Sequence, residues 1–286
     1  MQVQNNIASI NAARNQGIET GKLKKSLEKL SSGFRIVRAG DDAAGLAISE
    51  GMRSRINSLN QAMKNIDDGI GLTNVGDGAL TEVHSMLQRL KTLALKSANG
   101  TYDQSNRETL NMEKDQILEE IDRIGSTTKF GEISLFSRAD ANANTQLWQP
   151  PELDDTIPLQ IGGSTQAGEV LDVERYYIGS KELQLDQTDF SDVEKGHKSV
   201  GYIENAIEAV SKVRASFGAA YMHLEHTHNN LSVTSENMQA AESQIRDTNM
   251  AEEITKYTSS NIALQSSNMI LTNANNLPQT ILELLK

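Results

Sequence analysis

Apolar residues recur at intervals of three and four positions along two long stretches of the chain. The first stripe consists of Ile48, Met52, Ile56, Leu59, Met63, Ile66 and Ile70, and it resumes at Leu80 after Gly76 and Gly78. The second consists of Ile203, Ile207, Val210, Val213, Phe217, Leu224 and Leu231. This spacing is close to the repeat of about 3.5 residues in a supercoiled helical seam. It predicts two long helices packed along a narrow seam, with the apolar stripe of the first interrupted at the two glycines.

The residues around the first long stripe predict a helical hairpin. Asp41 and Asp42 precede the stripe, and carboxylates favour a helix N-terminus, where backbone N–H groups are unpaired. Turn-forming residues occupy positions 97–100, where the stripe ends. A shorter stripe follows, made of Leu110, Ile117, Ile121 and Ile124. A helix, a turn and a returning helix form an α-hairpin.

The middle of the chain, between about residues 129 and 198, follows a different pattern. Three of the four prolines lie there, and the long flanks without proline permit helices. Short strands are predicted at residues 145–149, at the alternation of Ile157, Leu159 and Ile161, and at residues 169–173. Gly162, Gly163 and Gly168 predict a hairpin between the last two strands.

Both ends of the chain carry thin apolar stripes in a background of Asn, Gln, Ser and Lys. Neither stripe buries enough apolar area to hold a helix alone in water. Because the two ends match in length and pattern, we expect them to pair as helical arms. The predicted fold is mainly α, a long antiparallel helical hairpin or coiled-coil bundle with a small β-rich region in the middle of the chain.

Composition and charge exclude several classes of protein. The 286 residues include no cysteine, which excludes thiolate metal sites, disulfides and thiol catalysis. A net charge of −11 argues against nucleic-acid binding, which needs a basic surface. The mean hydropathy of −0.46 and the absence of a long apolar run argue against a membrane span. Only 4% of the residues are aromatic, so the core must be mostly aliphatic, which suits helical seams.

No residues have the arrangement of a catalytic or metal site. His223, His226 and His228 could suggest zinc, but the zinc-protease pattern needs two histidines four apart with a glutamate directly after the first. His228 falls between Leu224 and Leu231 in the apolar stripe, so we interpret it as a buried or half-buried seam residue. Adjacent carboxylates point in different directions along a helix and do not converge on a substrate. We therefore predict no catalytic residue, no metal ligand and no cofactor.

Five long segments carry a family resemblance. They are residues 30–49 (LSSGFRIVRAGDDAAGLAIS), 97–107 (SANGTYDQSNR), 118–125 (LEEIDRIG), 235–253 (SENMQAAESQIRDTNMAEE) and 274–286 (ANNLPQTILELLK). Together they resemble bacterial flagellin, the filament subunit. The resemblance covers both flanks nearly end to end and weakens over residues 137–195, which is typical of a family whose middle region varies.

The resemblance implies how the chain is divided. The expected parts are an N-terminal inner helical arm (1–40), core helices (41–128), a β-rich variable middle region (129–198), a returning core helix (199–253) and a C-terminal inner arm that pairs with the first (254–286). The middle region is too short for large outer domains. The chain therefore looks like a short flagellin.

The implied function is that of a structural subunit for motility, secreted and assembled into the extracellular flagellar filament. Contacts that do not close into a ring propagate as a helical polymer. The residues expected to mediate self-assembly are Ile7, Ile10, Leu27, Leu30, Ile262, Ile270, Leu277, Ile281 and Leu285. Further implied partners are the flagellar export apparatus with its chaperone, and the hook-associated and cap proteins. The chain starts without the charged and apolar regions of a signal peptide, which agrees with that export route.

Two alternative functions remain open from the sequence. One is a hook–filament junction protein of the same superfamily, which shares the terminal pattern more loosely. The other is an enzyme carried on a filament, which the small middle region and the missing zinc-protease pattern disfavour.

The resemblance also implies a receptor site for Toll-like receptor 5 of a host. The arginine and leucine of the family's recognised helix match Arg89 and Leu93, and the glutamate of the returning helix matches Glu113. Lys96 stands where family members often carry glutamine. From the residues alone, Arg89 and Glu113 are ordinary helix charges and Leu93 is a stripe residue.

Overall fold

The computed structural model describes residues 6–136, 156–164 and 168–284, with side chains up to residue 276. Within these residues there are five α-helices: α1 (Ile7–Ser32), α2 (Ala43–Ser97), α3 (Gln104–Thr127), α4 (Val193–Arg246) and α5 (Met250–Leu284). Four short strands lie between α3 and α4: β1 (Lys129–Phe130), β2 (Ile133–Ser134), β3 (Thr156–Gln160) and β4 (Val170–Glu174). The predicted class, a mainly α fold with a small β-rich region in the middle of the chain, is confirmed.

The strands form two antiparallel hairpins, β1 with β2 and β3 with β4. The second hairpin confirms the prediction, and its register pairs Ile157 with Val173 and Leu159 with Leu171. The first hairpin escaped prediction because two-residue strands are too short to show an alternating pattern. The strand predicted at residues 145–149 lies outside the described residues.

Helix α2 runs without a break through Gly76 and Gly78, where the apolar stripe of the sequence is interrupted. Glycine lowers helix propensity by about 1 kcal/mol relative to alanine. Burial outweighs it, since Leu72 and Leu80 on either side are at most 2% exposed. A Cβ at position 76 would lie 3.1 Å from the Phe217 ring, so the glycine makes room for an aromatic side chain of α4.

The chain divides into two compact units, one made of Met1–Ile56 with Glu236–Lys286 and the other of Asn57–Ser235. In the first unit, α1 and α5 lie side by side and antiparallel. The Asn6 side-chain amide donates to the Ala274 carbonyl at 2.6 Å, and Gln16 donates to Asn268 at 2.7 Å. Asn6 also caps α1, because its side chain accepts from the backbone N–H of Ser9 at 3.2 Å.

A short backbone bridge joins the segment that follows α1 to the segment that precedes α5. Phe34, which follows α1, pairs with Asp247, which follows α4. The Thr248 N–H donates to the carbonyl of Gly33 at 2.9 Å. Gly33 ends α1 with φ of 76°, a left-handed conformation that glycine adopts without steric cost. The Arg246 guanidinium lies 4.8 Å from the centre of the Phe34 ring and also pairs with Glu50.

In the second unit, α2 and α4 run antiparallel, because rising residue numbers on α2 meet falling numbers on α4. The pairs are Asn60–Ser235 at 3.1 Å, Asp77–Arg214 at 2.8 Å and Lys91–Glu204 at 2.9 Å. The core of this unit draws on α2, α3, α4 and the β hairpins. Its buried side chains include Leu80, Leu87, Leu90, Leu93, Ile121, Leu135, Leu185, Phe190, Ile203 and Phe217. The predicted α-hairpin of α2 and α3 is confirmed.

One close approach in this unit involves backbone rather than side chains. Gly125 of α3 lies against the backbone carbonyl oxygen of Ile178, and a Cβ at position 125 would overlap that oxygen. The segment after Ile178 is held by Asp122, whose carboxylate accepts from the Ser180 N–H at 2.6 Å and from its hydroxyl at 2.8 Å. Helix α3 and this loop therefore contact each other directly through the main chain.

Candidate functional site

Large apolar side chains lie exposed to solvent along α1 and α5. On α1, Ile7 is 63% exposed and Ile10 is 62% exposed. On α5, Ile262 is 59% exposed and Ile270 is 58% exposed. Single exposed apolar residues are common on protein surfaces, whereas aligned ones are not, so these rows are a candidate interaction surface.

These residues are aligned on the helix surfaces. Ile262, Met269 and Ile270 are spaced by seven and eight residues, which places them on one face of α5. The partner helix α1 contacts a different face, through Asn268 and the carbonyl of Ala274. The exposed row on α5 thus remains free for other contacts after α1 and α5 have paired.

The structure places the other predicted assembly residues as follows. Leu27 is 52% exposed and Leu30 is half-buried. Leu277 and Ile281 belong to α5, but their side chains are not among those described, and Leu285 lies outside the described residues. Sequence reasoning did not select Ile18, which is 50% exposed. Its position eight residues after Ile10 could have identified it as part of the same face.

A basic groove lies at the junction between α1 and α2. It has a volume of about 390 Å³ and is lined by Lys25, Lys29, Arg35, Asp41 and Asp42, among others. The backbone N–H of Arg38 lowers the pKa of Asp41, and the charges of Lys25 and Lys29 lower it further. The cations of this groove therefore already face a carboxylate of the same chain, which stays ionised at neutral pH.

The structure brings together two of the three residues that the resemblance selected as a receptor site. The Arg89 guanidinium lies 2.6 Å from the Glu113 carboxylate, and the two side chains are 52% and 38% exposed. Leu93 is fully buried in the core beneath them. Leu95 and Met112, which are 52% and 61% exposed, neighbour these residues in sequence and were not selected.

The three histidines of α4 are not arranged as a metal site. His228 is half-buried, as predicted, with its ring 3.6 Å from the Asp67 carboxylate, whereas His223 and His226 are exposed. In the part of the chain that the structure describes, no three His, Asp or Glu side chains are grouped closely enough to hold a metal ion. No helix of that part is both long and apolar enough to cross a bilayer.

Two family profiles match the chain at its two flanks. The profile of the bacterial flagellin N-terminal helical region matches residues 3–141, and that of the C-terminal helical region matches residues 200–285. The flagellin of Halalkalibacterium halodurans is 42% identical over 286 residues, and that of Bacillus subtilis is 38% identical over 308 residues. Both alignments cover 100% of each chain.

Solved structures show the same likeness. The crystal structure of Bacillus cereus flagellin aligns with a TM-score of 0.50 at 27% identity, covering 63% of this chain and 94% of that one. The putative flagellar hook-associated protein of Vibrio parahaemolyticus aligns with a TM-score of 0.59, covering 72% of this chain and 100% of that one. At 14% identity, this second likeness concerns the fold alone.

Proposed function

Because the chain belongs to the bacterial flagellin family, we propose that the exposed apolar rows on α1 and α5 are the surfaces through which its copies assemble. The chain is a structural subunit of the extracellular flagellar filament and not an enzyme. Nothing favours the alternative of a hook–filament junction protein.

The exposure of Ile7, Ile10, Ile262 and Ile270 is the observation that carries this proposal. Burying one such side chain contributes about 1.5–3 kcal/mol, and a helix pair presents several of them at once. In a heterologous contact, two different surfaces of identical copies meet, so each added copy leaves one surface free for the following copy. The inner-arm residues 1–40 and 254–286 thereby form the part of the subunit that holds the polymer together.

Thiol protection tests where these contacts lie. The chain has no cysteine, so Ile262→Cys gives a single thiol on the exposed row of α5. We expect this thiol to react readily with a maleimide in the monomer and to be largely protected in the filament. Lys181→Cys, at an exposed position in the middle region, serves as the control. Equal labelling of position 262 in monomer and filament would contradict the proposal.

The family also supports a set of partners during export and assembly. We infer that the chain leaves the cell through the flagellar export apparatus with a dedicated chaperone. On the growing filament it meets hook-associated and cap proteins. The support for these partners is the family membership, and the support for unfolded export is that no disulfide constrains a chain without cysteine.

We further propose that Arg89 and Glu113 contact Toll-like receptor 5 of a host. Both side chains reach solvent, and an exposed arginine beside a carboxylate is a common anchor in protein interfaces. Leu93 is fully buried, so within this proposal it supports the backbone of α2 under Arg89 and makes no direct contact.

Alanine substitution tests whether Arg89 contacts the receptor or only forms a surface ion pair with Glu113. Arg89→Ala is expected to weaken receptor binding on the order of tenfold, since it removes an interface arginine. The same change costs less than about 1 kcal/mol of stability, because the pair is exposed. Arg123→Ala is the matched control, as Arg123 forms an exposed ion pair with Glu120 on α3. Equal receptor affinity of the two variants, measured by surface plasmon resonance, would refute the site.

A further inference from the structure

The turn between α2 and α3 contains an asparagine followed by a glycine, Asn99 and Gly100. Both residues are exposed. A Cβ added at Gly100 would meet no atom within 4 Å, so the position opens directly to solvent. Without a side chain, the backbone nitrogen of Gly100 can approach the side-chain amide of the preceding residue unhindered.

A hydrogen bond folds the Asn99 side chain back toward the main chain of the turn. The Asn99 Oδ1 accepts from the backbone N–H of Thr101 at 3.2 Å, which closes an Asx turn. The ring closed by that hydrogen bond contains both Asn99 Cγ and the Gly100 nitrogen. Among the described residues, the N–H of Gly100 donates to no acceptor, so this nitrogen is not engaged elsewhere.

The Thr101 N–H has a second consequence, which is electrostatic. When a nucleophile adds to Cγ, negative charge develops on Oδ1, the atom that already accepts this hydrogen bond. A backbone donor placed on a developing oxyanion lowers the barrier to addition. The turn thus contains an electrophile, a nucleophile and an oxyanion donor within three consecutive residues.

The turn is also held in place from outside. Arg107 is 6% exposed, and its guanidinium donates to the carbonyls of Asn99 and Tyr102, each at 3.1 Å, and to that of Ser97. The Asn99 N–H donates to the carbonyl of Lys96 at 3.1 Å. Groups that are held near each other react faster than groups that must find each other in a flexible chain.

We propose that Asn99 is a self-modifying site that loses its side-chain amide. The Gly100 nitrogen attacks Asn99 Cγ and forms an N–Cγ bond. The Cγ–Nδ2 bond breaks, and the amide nitrogen leaves as ammonia with the proton from Gly100. The resulting succinimide is opened by water. Cleavage of the N–Cγ bond gives aspartate, and cleavage of the bond to the main-chain carbonyl gives isoaspartate.

Either product changes the turn. Both add one negative charge beside the C-terminal end of α2, where the helix dipole disfavours it. Isoaspartate also inserts an extra methylene into the main chain, between the carbonyls that Arg107 holds. The reaction needs only water, so it proceeds in any subunit whose turn stays hydrated. The converted fraction of Asn99 therefore rises with the time that a subunit has spent in solution.

Peptide mapping of the full-length chain tests the proposal. The protein is incubated at mildly alkaline pH, and conversion of Asn99 is followed by mass spectrometry with fragmentation that distinguishes isoaspartate. Asn57 is the internal control: it is exposed and followed by a small residue, Ser58, but lies within α2, where backbone N–H groups are engaged. Gly100→Ala is the matched variant, because position 100 has open space and does not adopt a positive φ.

We expect Asn99 to convert on the order of tenfold faster in the folded chain than in the chain unfolded by guanidinium, because folding holds the reacting groups together. We expect conversion of Asn57 and of Asn99 in Gly100→Ala to be slower by at least a similar factor. Reaction of Asn99 at an equal or higher rate in the unfolded chain would overturn the proposal. Retention of the Asn99 amide at the level of Asn57 would overturn it as well.

Discussion

We expect the replacement of Ile262 and Ile270 with aspartate to prevent filament growth at concentrations where the unaltered chain polymerises. The two side chains are 59% and 58% exposed in the single chain and lie on one face of α5. Their burial in a contact contributes about 3–6 kcal/mol together, and aspartate removes it and adds two charges that the contact would desolvate. The concentration needed for growth rises on the order of a hundredfold or more.

Seeded polymerisation followed by light scattering and electron microscopy measures this effect. The matched control replaces the same two residues with leucine, which keeps the apolar area, and it is expected to polymerise nearly as the unaltered chain does. Circular dichroism of each monomer shows whether helix content is retained. If the aspartate variant forms filaments at the concentration where the unaltered chain polymerises, the contacts lie elsewhere on the subunit.

Introducing a methyl group at Gly125 destabilises the unit formed by Asn57–Ser235. The new Cβ of Gly125→Ala would overlap the carbonyl oxygen of Ile178, and main chain cannot move aside as a flexible side chain can. We expect the free energy of unfolding of that unit to fall by roughly 3 kcal/mol. Denaturant unfolding monitored by circular dichroism gives the value.

Gly78→Ala is the opposite case and serves as its control. Gly78 lies inside α2, and a Cβ there would meet no atom within 4 Å. Alanine is expected to raise the free energy of unfolding by about 0.5–1 kcal/mol, because it is the better helix former. If both glycine variants shift stability in the same direction, the contact between α3 and the Ile178 carbonyl does not govern stability.

The long helices could be predicted because their apolar stripes are sustained over many turns. The stripe is weakest at Gly76 and Gly78, where local propensity opposes the helix and burial against α4 overrides it. A single sequence does not reveal that a glycine faces Phe217 on a helix more than a hundred residues away. The β1–β2 hairpin lacked a signal because its strands are too short.

Part of the candidate site could be predicted from the sequence. The stripes at both ends identified Ile7, Ile10, Ile262 and Ile270, since apolar residues in a polar background keep their helical spacing. Exposure could not be predicted in the same way. Leu93 of the stripe on α2 is fully buried, whereas Ile10 and Ile262, which also belong to apolar stripes, are 62% and 59% exposed, because, of these three stripes, only that of α2 packs against other helices in the core.

The backbone bridge between Phe34 and Asp247 sets a fixed reference for the terminal helices. Each residue added to a helix rotates everything beyond it by about 100° and shifts it by about 1.5 Å. One residue inserted into α1 would therefore turn Ile7 and Ile10 away from their positions relative to Ile262 and Ile270, while the bridge stays in place. Consequently, we expect the insertion of one residue to be tolerated less well in α1 or α5 than in the middle of the chain.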